Sequence, residues 1–198
     1  MVEIIQQPPD AAQLDLEKYG LSYLTNKYVQ AWTDSDIDQL MEALDNENIA
    51  PRIPILFTPP NIKRLLSTSY CRRCGNCCLS NPLYASQPGV LVFEKELKCI
   101  TKHSNYSYKF LKRKSVKYNN PERNDVRHLP LPCLFYQQGK CTIYDVRPFV
   151  CKIYPVKDST PINGKVYITI SLRCDYGKDL YRYALNELKK RKKPTLVA

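Results

Sequence analysis

Apolar residues recur at helical spacing at both ends of the chain, with short alternating runs between them. Leu21, Leu24, Tyr28 and Ala31 form one stripe, which predicts a helix over residues 11–32. Ile37, Leu40, Met41 and Leu44 predict a second helix over about 36–46, with Ser35 as its cap and Asp38 in the capping-box position. PRIPILFTPP reads as a linker, because proline removes a donor and breaks helix. Thr58 and Pro59 then start a short helix through Leu66. VLVF at 90–93 is a strand candidate, 94–103 a helix with Leu97, Ile100 and Thr101 on one side, and 119–132 a loop. CLFYQQGKCTIY predicts a β-hairpin turning near Gly139, and YDVRPFVCKIYP a helical turn stopped by Pro155. KVYITISL alternates as a strand, and 177–193 is helical with Leu180, Ala184, Leu185 and Leu188 inward. The expected class is α+β: a small, irregular, cysteine-rich domain with a short hairpin, preceded by a helical hairpin and followed by a helix.

Charge divides the same pattern. Residues 1–50 carry ten acids against two bases, Lys18 and Lys27, whereas 51–198 carry twenty-eight bases against nine acids. The expected organisation is an acidic helical hairpin over 1–50, a cysteine-cluster domain over 55–185 and a basic tail over 186–198. A chain of 198 residues is long enough for one domain with a core plus an arm. No apolar run approaches the ~20 residues of a membrane helix, so no membrane partner is expected. MVEIIQQPPD has no basic stretch followed by an apolar one, so no secretory signal is expected and the predicted location is cytoplasmic. There thiols stay reduced, and clustered cysteines bind metal more often than they form disulfides.

Eight of the nine cysteines fall into one plan. Cys71, Cys74, Cys77 and Cys78 occupy CRRCGNCC, and Cys133, Cys141, Cys151 and Cys174 follow at wider intervals. Thiolates are the soft ligands of zinc and of iron–sulfur clusters, and four of them fill one tetrahedral site. Eight match two closed sites, so metal ions are the first expected partners. The spacing of Cys71, Cys74 and Cys77 wraps three thiolates around one corner of a cluster or forms part of a zinc knuckle. Gly75 permits the positive φ that such a loop uses. The adjacent Cys77 and Cys78 are expected to project in different directions, either to two centres or with one on a metal and one reactive. Arg72, Arg73, Lys98, Lys140, Lys152 and Arg173 flank cysteines and favour the ligating thiolate.

CRRCGNCC, then PCLFYQQGKCTIYDVRPFVCKIYP, then Cys174 resembles the CxxCxxCC family of zinc- or iron-chelating proteins. The shared positions are Cys71, Cys74, Gly75, Cys77, Cys78, Cys133, Gly139, Cys141, Ile143, Tyr144, Arg147, Pro148, Cys151, Tyr154, Pro155 and Cys174. They span residues 71–174, about half the chain. The resemblance implies metal binding. A relative of that family with known activity, the flagellin lysine N-methylase, carries a similar cysteine cluster, but this chain has no glycine loop of the Rossmann type and no CxxxCxxC run to accompany a transfer of that activity.

Four thiolates suit zinc and iron alike. The CxxCxxC spacing favours an iron–sulfur cluster, of 4Fe-4S type, in at least one site, with zinc or another single ion open for the second. Tyr144 and Tyr154, beside Cys141 and Cys151, can shield a cluster from water. Arg147, fixed by Pro148, can offset thiolate charge or pair with Asp145. Cys99 and His103, four apart on one helix face, read first as a buried thiol near a surface imidazole and second as a ligand or nucleophile–base pair. His128 reads as a solvated loop residue. Residues 102–118 interleave Tyr106, Tyr108, Phe110 and Tyr118 with six Lys or Arg, a composition that suits nucleic acid. A solvated face, or a dock for the chain's own acidic helices, is the favoured reading of that stretch. The function expected is metal or iron–sulfur binding in a structural or electron-transfer role, with a redox or protein partner. The alternatives are a metal-dependent enzyme acting on a protein side chain or small molecule, and a nucleic-acid-binding metal module.

Overall fold

The computed structural model describes residues 14–27, 29–80, 89–118, 123–158 and 161–190. In chain order its helices and strands are α1 (Asp34–Asn46), β1 (Arg52–Leu56), α2 (Pro59–Leu66), α3 (Asn76–Leu79), β2 (Val90–Phe93), α4 (Glu94–Thr101), α5 (Tyr108–Lys114), β3 (Val116–Lys117), β4 (Val126–Leu129), β5 (Tyr136–Gln137), β6 (Lys140–Cys141), α6 (Phe149–Ile153), β7 (Val156–Asp158), β8 (Tyr167–Ile170) and α7 (Asp175–Lys189). Small antiparallel sheets mixed with helices make the fold α+β. The chain divides into two compact units, one comprising residues 71–154 and the other the segments before and after them.

In the unit built from both ends of the chain, β8 lies between β1 and β7. Ile168 and Ile170 alternate inward along β8, and Ile53 of β1 and Leu180, Ala184 and Leu185 of α7 are buried with them. The PRIPILF stretch is therefore a strand rather than a linker. It is tolerated because β1 pairs on one side only, and its register slips between Ile53 and Leu56, around Pro54. An edge strand with a bulge is where a residue without an N–H can sit.

The single helix predicted over 11–32 is not formed in the described part of that stretch, where two 3₁₀ turns, Ser22–Asn26 and Val29–Ala31, stand instead. Gly20 breaks the pattern. Its φ of 67° closes a turn in which Gly20 N–H bonds to Glu17 O at 2.9 Å and Leu21 N–H to Leu16 O at 2.8 Å. Leu21 and Leu24 still reach the core. The next helix starts two residues earlier than expected. Thr33 caps it, accepting from Asp36 N–H at 3.1 Å while Asp36 Oδ2 accepts from Thr33 N–H at 2.7 Å.

Asp36 is buried, and burial works against its charge more than any other single influence. The hydrogen bonds from Tyr23 and Thr33 and the nearby Lys27 together outweigh it, so its pKa lies below the ordinary 3.8. The sign follows: Asp36 stabilises the fold above that ordinary value, and the contribution is lost as pH falls through the lower folded value. Asp36→Asn is expected to cost about 1 kcal/mol at neutral pH and less at a pH well below the ordinary 3.8. Thermal melts at the two pH values check this, and an equal deficit at both would be the contrary result.

Three other acids of α1 pair with cations on or beside the C-terminal helix. Asp38 pairs with Arg182, Asp45 with Lys178 at 2.9 Å and Arg173 at 3.7 Å, and Asp34 with Lys189 at 3.6 Å. The acidic segment thus finds its cations on and beside α7.

In the unit of residues 71–154, β4 lies between β2 and β3, where sequence predicted only loop. His128 is accordingly buried rather than solvated, its Nδ1 3.3 Å from Gly89 O and its ring 5.3 Å from that of Tyr118. Val92, Leu97, Ile100, Leu111, Leu129, Phe135 and Ile143 form the core. Tyr106, Tyr108 and Phe110 pack against it, together with Cys133 and Cys141. Glu96 ties two elements together: its carboxylate accepts from Phe93 N–H at 2.9 Å, at the start of α4, and from Phe149 N–H at 2.8 Å, at the start of α6.

Candidate metal centre

Each cysteine of this unit is set by a local device. Gly75, at φ 86°, ends the CRRC loop and starts α3, so that Cys78 N–H bonds to Gly75 O at 2.8 Å. The loop is further held by Arg73 N–H, which donates to Cys71 Sγ at 3.4 Å. Tyr136 stands directly over Gly75, where a Cβ would meet its hydroxyl oxygen at 2.1 Å. The hairpin forms as expected: Gln138 and Gly139 turn at positive φ, and Tyr136 pairs with Cys141 across it. The two cysteine sets are joined by the bond from Cys133 N–H to Cys78 O at 2.7 Å. α6, anchored by Glu96, carries Cys151.

All nine cysteines are free thiols. Six of them, Cys71, Cys77, Cys78, Cys133, Cys141 and Cys151, come close enough for their charges to act on one another. Cys78, Cys133, Cys141 and Cys151 form the densest part. Burial pushes Cys133 up to about 11, with Cys78 and Cys141 adding repulsion. Burial, then Cys133, Cys78 and Cys141, push Cys151 still higher. Cys141 is also raised, chiefly by burial. The adjacent Cys77 and Cys78 both lie on the single turn of α3, and their thiols act on each other: the interaction raises Cys77 and lowers Cys78, which Arg147 also favours.

The other predicted residues fall around this group. Arg147 Nη1 donates to Tyr144 O at 2.9 Å and Nε to Cys151 O at 3.3 Å. Its guanidinium lies 3.7 Å from the centre of the Tyr144 ring, and that of Arg73 lies 4.1 Å from the same ring. Both cations lower the Cys141 pKa, so Arg73 joins Arg147 in offsetting thiolate charge. Sequence marked Arg73 only as a flanking base; its place over Tyr144 depends on the loop closing. Tyr154 is buried at the end of α6. Cys74 is exposed, and its carbonyl accepts from Tyr136 Oη at 3.4 Å. Cys174 lies in the other unit, as the residue before α7. Cys99 is exposed rather than buried, and its carbonyl, not its thiol, stands 3.0 Å from His103 Nδ1.

The donor chemistry fits a soft metal. Crowded, buried thiols resist ionisation alone, and a cation among them reverses that balance. Among the described residues, no three His, Cys, Asp or Glu stand in the arrangement that closes on a single ion.

The match that decides the family covers residues 70–175, just over half the chain, and is to the model named CxxCxxCC, described as a putative zinc- or iron-chelating domain. The chain belongs to the CxxCxxCC family. Metal chelation is the property this membership supports, and the matched span takes in Cys174 as well as the thiols of the 71–154 unit. Neither a curated protein nor a solved structure matches the chain. Among the described residues no helix is long and apolar enough to cross a membrane.

Proposed function

We propose that this CxxCxxCC protein holds an iron–sulfur centre on the thiolates of residues 71–154, with Cys78, Cys133, Cys141 and Cys151 as one ligand group and Cys71, Cys74 and Cys77 beginning a second. Cys174 enters the ligand set through the family pattern alone. The observation that carries the reading is the gathering of cysteines from α3, the hairpin and α6, where Cys133 N–H bonds to Cys78 O at 2.7 Å, Cys141 pairs across the hairpin and Glu96 anchors the start of α6. The CxxCxxC spacing of Cys71, Cys74 and Cys77 favours a polynuclear centre over a single zinc ion. When bound, such a centre supplies a one-electron couple and a cross-link between distant stretches of chain.

The chain's own residues tune that site. Arg147 and Arg73 place positive charge beside the thiolates, and Arg73 N–H donates to Cys71 sulfur. Hydrogen bonds to sulfur and nearby cations favour the more negative, reduced state. The role that fits is electron transfer or cluster-dependent stabilisation of the fold.

Anaerobic purification followed by iron, sulfide and zinc analysis tests the proposal. The expected protein is brown, with iron and acid-labile sulfide in comparable amounts. Colourless protein with stoichiometric zinc would overturn the iron–sulfur assignment and leave chelation standing; protein without metal would overturn both.

A further inference from the structure

Residues 97–121 contain seven Lys or Arg and no Asp or Glu. The fold gathers several of these bases into one place. Lys98 of α4 and Lys112 of α5 both lie by the Tyr108 ring, at 6.0 and 5.8 Å from its centre. Arg113 and Lys114 lie by the Phe110 ring, at 5.8 and 5.9 Å. Lys117 of β3 pairs in register with Arg127, whose guanidinium donates to the Lys112 and Ser115 carbonyls at the end of α5. Lys98, Lys112, Arg113, Lys114 and Lys117 are all exposed. Among the described residues, Glu94 stands against them, 3.7 Å from Lys112.

Several acids of the N-terminal segment are engaged within their own unit. Asp34, Asp38 and Asp45 are engaged with α7 and Arg173, Asp36 is buried in its capping box, and Glu47 is held by Lys18 and Tyr19. A protein partner is a poor fit, because protein interfaces centre on apolar area with charge depleted, and among the described residues of α4, α5 and β3 only Val116 offers an exposed large apolar side chain. A membrane surface asks for an apolar helix face to insert, and the apolar residues of α5 face the core.

We propose that the α4–α5–β3 surface binds the phosphate backbone of nucleic acid without reading its bases. Tyr106, Tyr108 and Phe110 pack against the core, so they are not presented as stacking platforms for unpaired bases. Phosphate contact alone favours a duplex, whose charge density is highest. This surface does not depend on the metal reading, since no cysteine ligand belongs to it.

The test is fluorescence anisotropy of the metal-loaded full chain with a labelled random-sequence duplex DNA of about 20 base pairs. With about four phosphate contacts, affinity should fall ~100-fold between 50 and 200 mM salt and be indifferent to sequence. The combined variant Lys98→Gln, Arg113→Gln, Lys114→Gln should weaken binding at least ~10-fold at low salt, with metal content and melting temperature unchanged. Lys63→Gln with Arg64→Gln, bases on α2 of the other unit, should leave it within ~2-fold. Equal loss in both variants would reduce the effect to net charge and overturn the proposal. So would salt-insensitive binding, or capture by phosphatidylserine vesicles without affinity for the duplex.

Discussion

Cys151→Ser is expected to strip most of the metal from the protein and to lower its stability by at least ~3 kcal/mol, because ligand loss removes binding energy that is also folding energy. Serine keeps the volume and loses the soft donor, so packing alone would predict a small effect. Cys151 is the sharpest choice. It interacts with Cys133, Cys78 and Cys141, and Cys77 in turn feels it, so it is shared by both parts of the thiol group. Cys99→Ser is the matched control: that thiol is exposed and outside the group, and its substitution should leave metal content at the wild-type level. Elemental analysis and thermal melts of the two variants suffice. Full metal in Cys151→Ser, or equal loss in both, would remove Cys151 from the ligand set.

Gly75→Ala should be nearly as damaging, by a different route. The backbone there is left-handed, which costs any residue with a Cβ about 1 kcal/mol. The added carbon would also meet Tyr136 Oη at 2.1 Å and Cζ at 2.2 Å. Tyr136 belongs to the hairpin that carries Cys141, so relief of that collision either swings its half-buried ring off the Cys74 carbonyl or draws the hairpin with it. We expect about 3 kcal/mol of lost stability together with partial metal loss. Combining it with Tyr136→Ala removes the collision but keeps the strain, so the two changes should be non-additive by at least ~1 kcal/mol. Additive losses would mean that the contact is not the cause, and a wild-type melting temperature in Gly75→Ala would dismiss the account.

Much of this site was legible because metal ligation needs particular atoms at particular spacings. CRRCGNCC and GKCTIYDVRPFVC announce their chemistry in one dimension, and the hairpin at Gly139 follows from local turn geometry. The elements that were misread are those decided by neighbours. Pro54 argues against a strand until the strand proves to be an edge with a bulge. Val126–Leu129 carries too little apolar pattern to be called a strand alone, yet pairing on both sides makes it the middle of a sheet and buries His128. Leu21 and Leu24 sit at helical spacing, but Gly20 in a left-handed turn beside them ends the regular repeat.

Residue identity alone therefore determined the α+β class, the number of sulfurs and the softness of the metal they would take, since these depend on local propensity and donor type. Tertiary structure decided which thiols act on one another, that Arg73 joins Arg147 over Tyr144, and that Asp34, Asp38 and Asp45 of α1 pair with cations on and beside α7. Those outcomes depend on distances between residues far apart in the chain, and only packing sets such distances.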